Sequence, residues 1–387
     1  MKKVILRAPL LSYSGYGNHS RQVFKWLMTH NDIEVITQIV PWGITSWMIN
    51  PEMEGGLIGE IMQRSGPLEA RGDISIQVQL PNEWDPSVGK KNIGISAFVE
   101  TDICNPAWLE CCDKMDEVVV PSTFVKRTIE NTGQTKTRIH VIPESYYDSI
   151  VSPKKEDFDV EFSTPFNFLV FGQITGNNPE NDRKNLYYTI KWLCEEFKDD
   201  PDVGIVLKTN SGRNTTIDHN VTQKMLKQLI SETRSGPYPK VHFLHGTMTE
   251  AEISSLYSHP QIKALLSFTR GEGYGLPLLE AAVAGVPVIA TEWSGHLDFL
   301  NRGRFLGVKY RMENVHESRI DGQIFMKGAR WAAVDENHAK FRLRKFRKSP
   351  ELPQKWAKDL SKTLTAEYSQ DAINVLYEKK LGKYFEG

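Results

Sequence analysis

The sequence predicts an α/β protein of two doubly wound domains, each a parallel sheet with helices on both faces. Three observations predict it. The chain of 387 residues is too long for one comfortable core and long enough for two. Its 40% hydrophobic and 25% charged residues are ordinary for a globular protein. Short apolar runs alternate with helical patterns through both halves, as strands buried between helices require.

In the first half the apolar runs are "KKVILRAPL", "IEVITQIVPW", "DISIQVQL", "KNIGISAFVE" and "EVVVPS", with "SRQVFKWLMTH" as the first helical pattern. The segment "SPKKEDFDVEFSTP", Ser152 to Pro165, is charged, bounded by prolines and without apolar periodicity, so it reads as a linker. The alternation then resumes: "FNFLVFGQI", a helix near "NLYYTIKWLCEEF", "VGIVLKT", a helix near "TQKMLKQLISET", "KVHFLHG", "AEISSLYSH" and "KALLSFT". The last segment, "EYSQDAINVLYEKKLGKYF", spaces Ile373, Leu376, Tyr377 and Leu381 as an amphipathic helix does. The expected division is 1–155, a first doubly wound domain; 156–355, a second; and 356–387, a helical segment packing back on the first domain. Two such units leave a cleft at the carboxyl ends of their strands, where ligands settle in open α/β sheets.

A formal net charge of −1 supplies no whole-molecule attraction to nucleic acid or anionic membranes. Charge is concentrated in one place, where Lys340, Arg342, Arg344, Lys345, Arg347 and Lys348 fall within nine residues without an acid. That run reads either as a solvated helix face or as a basic rim for a phosphate-bearing acceptor. Cys104, Cys111, Cys112 and Cys194 form no CxxC pair, so the expectation is four reduced thiols and no metal site. Arg7 and Pro9 interrupt the opening apolar run, which reads as a strand and not a signal peptide; no apolar run approaches the ~20 residues of a membrane span. A cytoplasmic protein is expected, and the sequons at Asn18, Asn214 and Asn220 carry no weight there.

The most informative stretch is "FTRGEGYGLPLLEAAVAGVPVIATEWSG", Phe268 to Gly295. It reads as strand, turn and helix, with Pro277 near the first helical position, where a missing N–H costs nothing. Gly271, Gly273 and Gly275 permit positive φ and close approach of a ligand to the backbone. The amides opening the helix, with its dipole, favour an anion such as a diphosphate. Glu272 and Glu280 then need a reason to stand beside an anion site, and hydroxyl donors supply one; a ligand carrying both phosphate and sugar hydroxyls fits. An acid placed for the helix dipole alone would explain Glu280 but not Glu272.

With those residues in view, "RGEGYGLPLLEAAVAGVPVIAT" resembles the E-x7-E signature of the retaining glycosyltransferases of the GT-B fold, group one, family four. "LLSYSGYGNHSRQV" is similar to the family's N-terminal glycine loop, "FVETDICNPAWLECCDKMDEVVVPSTF" to its mid-domain acidic and Pro-Ser segment, and "DRKNLYYTIKWL" to its phosphate-contacting segment. The resemblance implies two Rossmann-like domains facing a cleft, the first (1–155) on the acceptor side and the second (156–355) binding the nucleotide sugar, a nucleoside-diphosphate sugar as donor substrate with UDP favoured, no required cofactor and no metal. It implies transfer of a hexosyl or pentosyl unit with retention. By the same resemblance Glu280 holds the ribose hydroxyls and Glu272 contacts the donor sugar near its anomeric carbon. The backbone at Gly273, Tyr274, Gly275 and Leu276 meets phosphate or sugar, and Lys184 neutralises the diphosphate with Arg183 beside it. The family often carries an arginine after the glycine ending the preceding strand, where this chain has Gln173 after Gly172; Lys208 is a substitute cation or a plain strand-end charge. In the first half, Gly15 and Gly17 bring backbone to the ligand, or simply make a tight turn. Glu100 and Asp102, with Thr101 between them, stand where the family often has a histidine and reach the acceptor hydroxyl or the transferred sugar.

The acceptor is written less clearly. "SGYGNHSRQVF" with "VPWGITSW" resembles bacteriophage-encoded glycosyltransferases, which makes a hydroxymethylated base in phage DNA an expected acceptor beside glycans, and the host cytoplasm the location. The basic run would then contact DNA phosphates, and a duplex base would have to be flipped out. Two other readings stay open: a nucleotide-sugar epimerase, and a non-catalytic sugar-binding protein.

Overall fold

The computed structural model describes residues 1–67 and 70–385. They form two compact units, one of residues 1–145, 322–326 and 368–387, the other of residues 146–321 and 327–367. Residues 146–155 and 356–367 thus group with the second unit.

The first unit carries the strands β1 (Lys2–Ala8), β2 (Ile33–Ile39), β3 (Gly72–Val78), β4 (Gly89–Ile95), β5 (Glu117–Val120) and β6 (Arg138–Val141), all parallel, in the order β2-β1-β3-β4-β5-β6. Its helices are α1 (Gly15–Leu27), α2 (Leu57–Gln63), α3 (Ala107–Cys112) and α4 (Thr123–Thr132). The second unit repeats the plan with β7 (Phe166–Phe171), β8 (Val203–Thr209), β9 (Lys240–His245), β10 (Ile262–Ser267), β11 (Val288–Thr291) and β12 (Leu306–Val308), parallel, in the order β12-β11-β10-β7-β8-β9. Around this sheet lie α5 (Leu186–Glu196), α6 (Thr216–Thr233), α7 (Glu250–Ser258), α8 (Leu276–Val283) and α9 (Leu297–Leu300). An antiparallel hairpin follows, β13 (Tyr310–Asn314) and β14 (Arg330–Val334), then α10 (Glu336–Lys348) and α11 (Glu351–Glu367). The predicted α/β class is what the chain adopts. The hairpin of two five-residue strands was not among the elements expected from the sequence.

The strands form where the apolar runs place Val, Ile and Leu in a sheet covered on both faces: every residue of β5 and of β8 is buried. Helix starts are set by side-chain caps. Ser14, Ser122, Thr215, Thr249, Asp335 and Ser369 each accept an amide from the first turn of the helix they precede.

The final helix, α12 (Gln370–Leu381), belongs to the first unit. Its Ile373, Tyr377 and Leu381 enter the same apolar core as Val23, Trp26 and Leu27 of α1. Tyr377 stacks on Trp26 with ring centroids 4.8 Å apart, and its hydroxyl bonds His19 Nε2 at 3.0 Å. Burial pushes His19 down to about 4, so it packs as a neutral ring.

The basic run is α10, and three of its six cations are paired with acids among the described residues. Lys340 bonds Glu195 and Glu336, Arg344 bonds Glu196, and Arg347 reaches Asp200 and Asp202. Arg342 donates to the Gly307 carbonyl at 2.9 Å. The cluster therefore holds α10 to the second unit.

Helix α12 supplies a test of the first core. Ile373→Ala should cost about 2–5 kcal/mol in chemical denaturation, whereas Val375→Ala on the exposed face of the same helix should stay within about 0.5 kcal/mol of wild type.

Candidate functional site

In the second sheet the chain runs β7, β8, β9 outward in one direction, then returns to lay β10 on the other side of β7. The loops leaving β7 and β10 therefore part at a topological switch point, the place where open α/β sheets bind ligands. Lys184 comes from the first of these loops and Glu272 from the second.

They meet there. Lys184 Nζ lies 2.7 Å from Glu272 Oε1 and 2.8 Å from Oε2, and Arg183 Nη1 is 3.5 Å from Oε2. Arg183 also donates to the Gly271 carbonyl at 2.7 Å, and the Arg270 amide donates to the Arg183 carbonyl at 2.8 Å, so the two loops are tied by backbone as well. Burial alone would push the Glu272 carboxyl up; the two cations overturn that and hold it down to about 2.

The backbone of Glu272 is fixed from the loop after β11. Its N–H donates to Ser294 Oγ at 2.9 Å, and its carbonyl accepts the Gly295 amide at 2.9 Å. Ser294 holds φ at +91°, a left-handed conformation that side chains rarely take, and its hydroxyl stands 3.4 Å from His296 Nδ1. His296 donates from Nε2 to the Thr291 carbonyl at 2.7 Å, which leaves Nδ1 as acceptor. Gly295 is required by close approach, since a Cβ there would lie 2.1 Å from the Gly273 carbonyl oxygen.

Helix α8 begins at the end of this loop. Gly275 takes φ +102° as its N-cap, and Pro277 sits second in the helix. The amides of Leu278 and Leu279 both close on the Gly275 carbonyl, at 2.9 and 3.2 Å. Pro277 has no N–H, so Leu276 is the remaining amide of the first turn, fewer donors than the sequence alone suggested. Leu276, Leu278, Leu279, Ala281, Ala282 and Val283 are buried, and Glu280 is buried among them. Its Oε2 lies 3.2 Å from the Tyr257 hydroxyl of α7. Burial, against a lowering contribution from Tyr257 and with Glu250 adding to the rise, pushes Glu280 up to about 8. The two glutamates of one motif thus hold opposite charge states at neutral pH.

The other sequence candidates divide. Lys208 ends β8 and does not join the Glu272 cluster; its Nζ bonds Asn210 Oδ1 at 2.6 Å and the Gly246 carbonyl at 2.5 Å, over the Phe171 ring. Burial lowers it to about 8, with Glu252 opposing, which makes it a weak fixed cation. Gly15 and Gly17 open α1 of the first unit. A Cβ at Gly17 would meet the Ser12 carbonyl oxygen at 2.0 Å, so the loop's own packing demands that glycine, while Gly15 has open space. Arg21 beside them is structural, bonding Leu10, Ser12 and Asn18 and pairing with Glu54 at 2.6 Å. Glu100 and Asp102 lie partly exposed in the loop after β4. Tyr257, Ser294 and His296 are the site residues that sequence reasoning missed; the last two stood in or beside the glycine-glutamate stretch, but only the folded loops show what they touch.

Two six-stranded parallel Rossmann-like units, the second with this loop constellation at its switch point, define the GT-B fold. Residues 212–318, which include Glu272 and Glu280, match the family described as "Glycosyl transferases group 1". No curated protein sequence matches the chain. Among solved structures it is similar to a sucrose-phosphate synthase from Thermosynechococcus elongatus, at 12% identity over 100% of this chain and 99% of that one, TM-score 0.65. A UDP-forming trehalose-phosphate synthase from Burkholderia xenovorans gives 10% identity over 100% of each chain, TM-score 0.63. WaaG, a glycosyltransferase involved in lipopolysaccharide biosynthesis, gives 13% identity over 98% of this chain and 100% of that one, TM-score 0.56. At such identities the likeness is one of fold. No helix among the described residues is long and apolar enough to cross a membrane.

The raised Glu280 gives a pH signature with a fixed sign. Native Glu280 keeps its proton up to about pH 8, whereas an unfolded glutamate loses it near 4.5, so between these values the native state binds more protons and stability falls as pH rises, by up to about 1.4 kcal/mol per unit. Glu280→Gln removes that slope. Denaturation series from pH 5 to 8 should show wild type losing stability relative to the variant as pH increases; parallel curves would contradict the assignment.

Proposed function

We propose that the protein is a retaining glycosyltransferase that moves a sugar from a nucleoside-diphosphate sugar, UDP-sugar first among them, to an acceptor hydroxyl. The observation that carries this is the buried carboxylate of Glu272 held between Lys184 and Arg183 where the loops after β7 and β10 part. The group 1 match over this segment and the two sugar-phosphate synthases of the same fold, one of them described as UDP-forming, agree with it.

In this reading Lys184 and Arg183 face the β-phosphate as the bond from anomeric carbon to phosphate oxygen breaks. Fixed cations in a site with little water stabilise developing charge far better than solvent does. The Leu276 amide and the α8 dipole add to the same field. Glu272 accepts hydroxyls of the transferred sugar, and Glu280 accepts those of the ribose, losing its proton as it does so. The acceptor oxygen bonds the anomeric carbon on the face the diphosphate leaves, and its proton passes to the departing phosphate oxygen. No pair of carboxylates divides acid and base duties, because Glu272 is committed to two cations and Glu280 to Tyr257.

For the acceptor we favour a saccharide hydroxyl over a hydroxymethylated DNA base. Half of the basic run that motivated DNA is engaged within the protein, Lys340 by Glu195, Arg344 by Glu196 and Arg347 by Asp200 and Asp202. Glu100 and Asp102 are the proposed acceptor-side carboxylates. An epimerase working on the same nucleotide sugar is the competing chemistry.

The experiment is release of nucleoside diphosphate from UDP-, GDP- and ADP-sugars, with and without glycan or hydroxymethylated-DNA acceptors, followed by NMR of the anomeric configuration of the product. Acceptor-dependent release with retention is expected. Glu272→Gln and Lys184→Met should each lower the rate by roughly 10²–10³-fold, the scale of removing a transition-state charge contact. Interconversion of the sugar nucleotide without acceptor would favour the epimerase, and tight binding with no turnover would favour a binding protein.

A further inference from the structure

A second pocket of about 490 Å³ opens in the same unit, lined from α5, the β13–β14 hairpin and the start of α10. It contains none of the residues assigned above to donor or acceptor.

Arg270 is its centre. The side chain is 5% exposed, yet among the described residues its guanidinium makes one hydrogen bond, from Nη2 to the Pro179 carbonyl at a long 3.4 Å. Nε has no partner among the described residues. The two nearest carboxylates stand beyond hydrogen-bond reach, Glu180 Oε2 at 3.8 Å from Nη2 and Glu313 Oε1 at 3.9 Å from Nη1, and both line the pocket. One face is covered by the Trp331 ring at 5.5 Å. A buried guanidinium with five donors is normally well satisfied, so this one is built for acceptors that are not protein. Asn185 repeats the pattern: it lines the pocket, is buried, donates from Nδ2 to the Phe268 carbonyl at 3.0 Å, and leaves Oδ1 unbonded among the described residues.

The charge balance selects the ligand. Glu180, Glu313, Asp335 and Glu336 face Arg270 and Arg311 across the lining. Asp335 caps α10, Glu336 binds Lys340, Tyr188 donates to Glu180 Oε1 and Arg311 donates to Glu313 Oε2 at 3.2 Å, which leaves Glu180 Oε2 and Glu313 Oε1, the two oxygens nearest Arg270, for a ligand. A free anion meets the carboxylates, and a small cation meets the guanidinium. A neutral hydroxyl satisfies both, donating to a carboxylate and accepting from an arginine. The remaining wall is aromatic: Tyr188 and Trp192 stack with centroids 5.7 Å apart, and Tyr310 stands on the hairpin. Flat rings beside a few fixed polar groups suit the C–H faces of a sugar, and the volume falls in the range of small-ligand pockets.

We propose that this pocket binds a saccharide unit, with Arg270, Glu180 and Glu313 bonding its hydroxyls and the α5 aromatics meeting its ring. The site is independent of glycosyl transfer. A saccharide bound there stays bound when the nucleotide site is filled.

The test is saturation-transfer NMR and calorimetry on the full chain with glucose, galactose, N-acetylglucosamine and maltotriose at millimolar concentration, in the presence of saturating UDP. Expected is binding of at least one probe, weakened roughly tenfold by Glu313→Leu and by Tyr310→Ala, with UDP affinity unchanged. These two side chains sit at the outer edge of the hairpin, so both variants should fold, which circular dichroism checks; Arg270→Met should abolish binding. No binding of any probe by wild type, displacement by UDP, or binding indifferent to the hairpin variants would overturn the proposal. UDP binding that persists in the same samples separates that failure from failure of the donor-site reading.

Discussion

The second unit's site depends on one interaction, the ion pair between Lys184 and Glu272 across the point where the β7 and β10 loops part. A buried pair of this kind repays its desolvation only with good geometry and extra hydrogen bonds. Here both carboxylate oxygens meet the ammonium, Arg183 adds a second cation, and the Glu272 backbone is clamped on both its N–H and its C=O. Removing either partner strands a buried charge, so the pair is fixed by penalty as much as by attraction. Its consequence is placement: two cations wait at the end of a sheet where a diphosphate would need them.

Around that pair the chain spends unusual backbone. Ser294 holds a left-handed φ so that its hydroxyl can take the Glu272 amide, and His296 is fixed as one tautomer between Ser294 and Thr291. Strained positions of this sort persist where the surroundings over-determine them, and such surroundings cluster at ligand sites. Glu280 shows the complementary strategy. With only Tyr257 and no cation beside it among the described residues, its carboxyl keeps a proton that ligand hydroxyls could displace.

Much of this was legible in the sequence because it is local. Apolar runs gave the strands, and "RGEGYGLPLLEAAVAG" gave the turn, α8 and both glutamates. What joins Lys184 to Glu272 is strand order: 88 residues separate them, and nothing in either segment states that β10 lies beside β7. The same holds for Tyr257, which reaches Glu280 from a helix whose sequence "AEISSLYSH" carries no mark of it. The basic run in α10 left two readings open for the opposite reason: its charges are obvious, while the acids of α5 that pair with Lys340 and Arg344 lie some 145 residues earlier. The hairpin β13–β14 hid because its strands are five residues each and are joined by the long connection 315–329, and the pocket it lines hid with it.

The Lys184–Glu272 cluster, as proposed above, forms a nucleoside-diphosphate site. Calorimetric titration of the wild-type chain with UDP and with uridine, each in two buffers of different ionisation enthalpy at pH 7, tests it most directly. UDP should bind at least about tenfold more tightly than uridine, a difference of about 1.4 kcal/mol or more, and binding should release protons as Glu280 ionises against the ribose. Equal affinity for UDP and uridine, with no dependence on buffer, would contradict it.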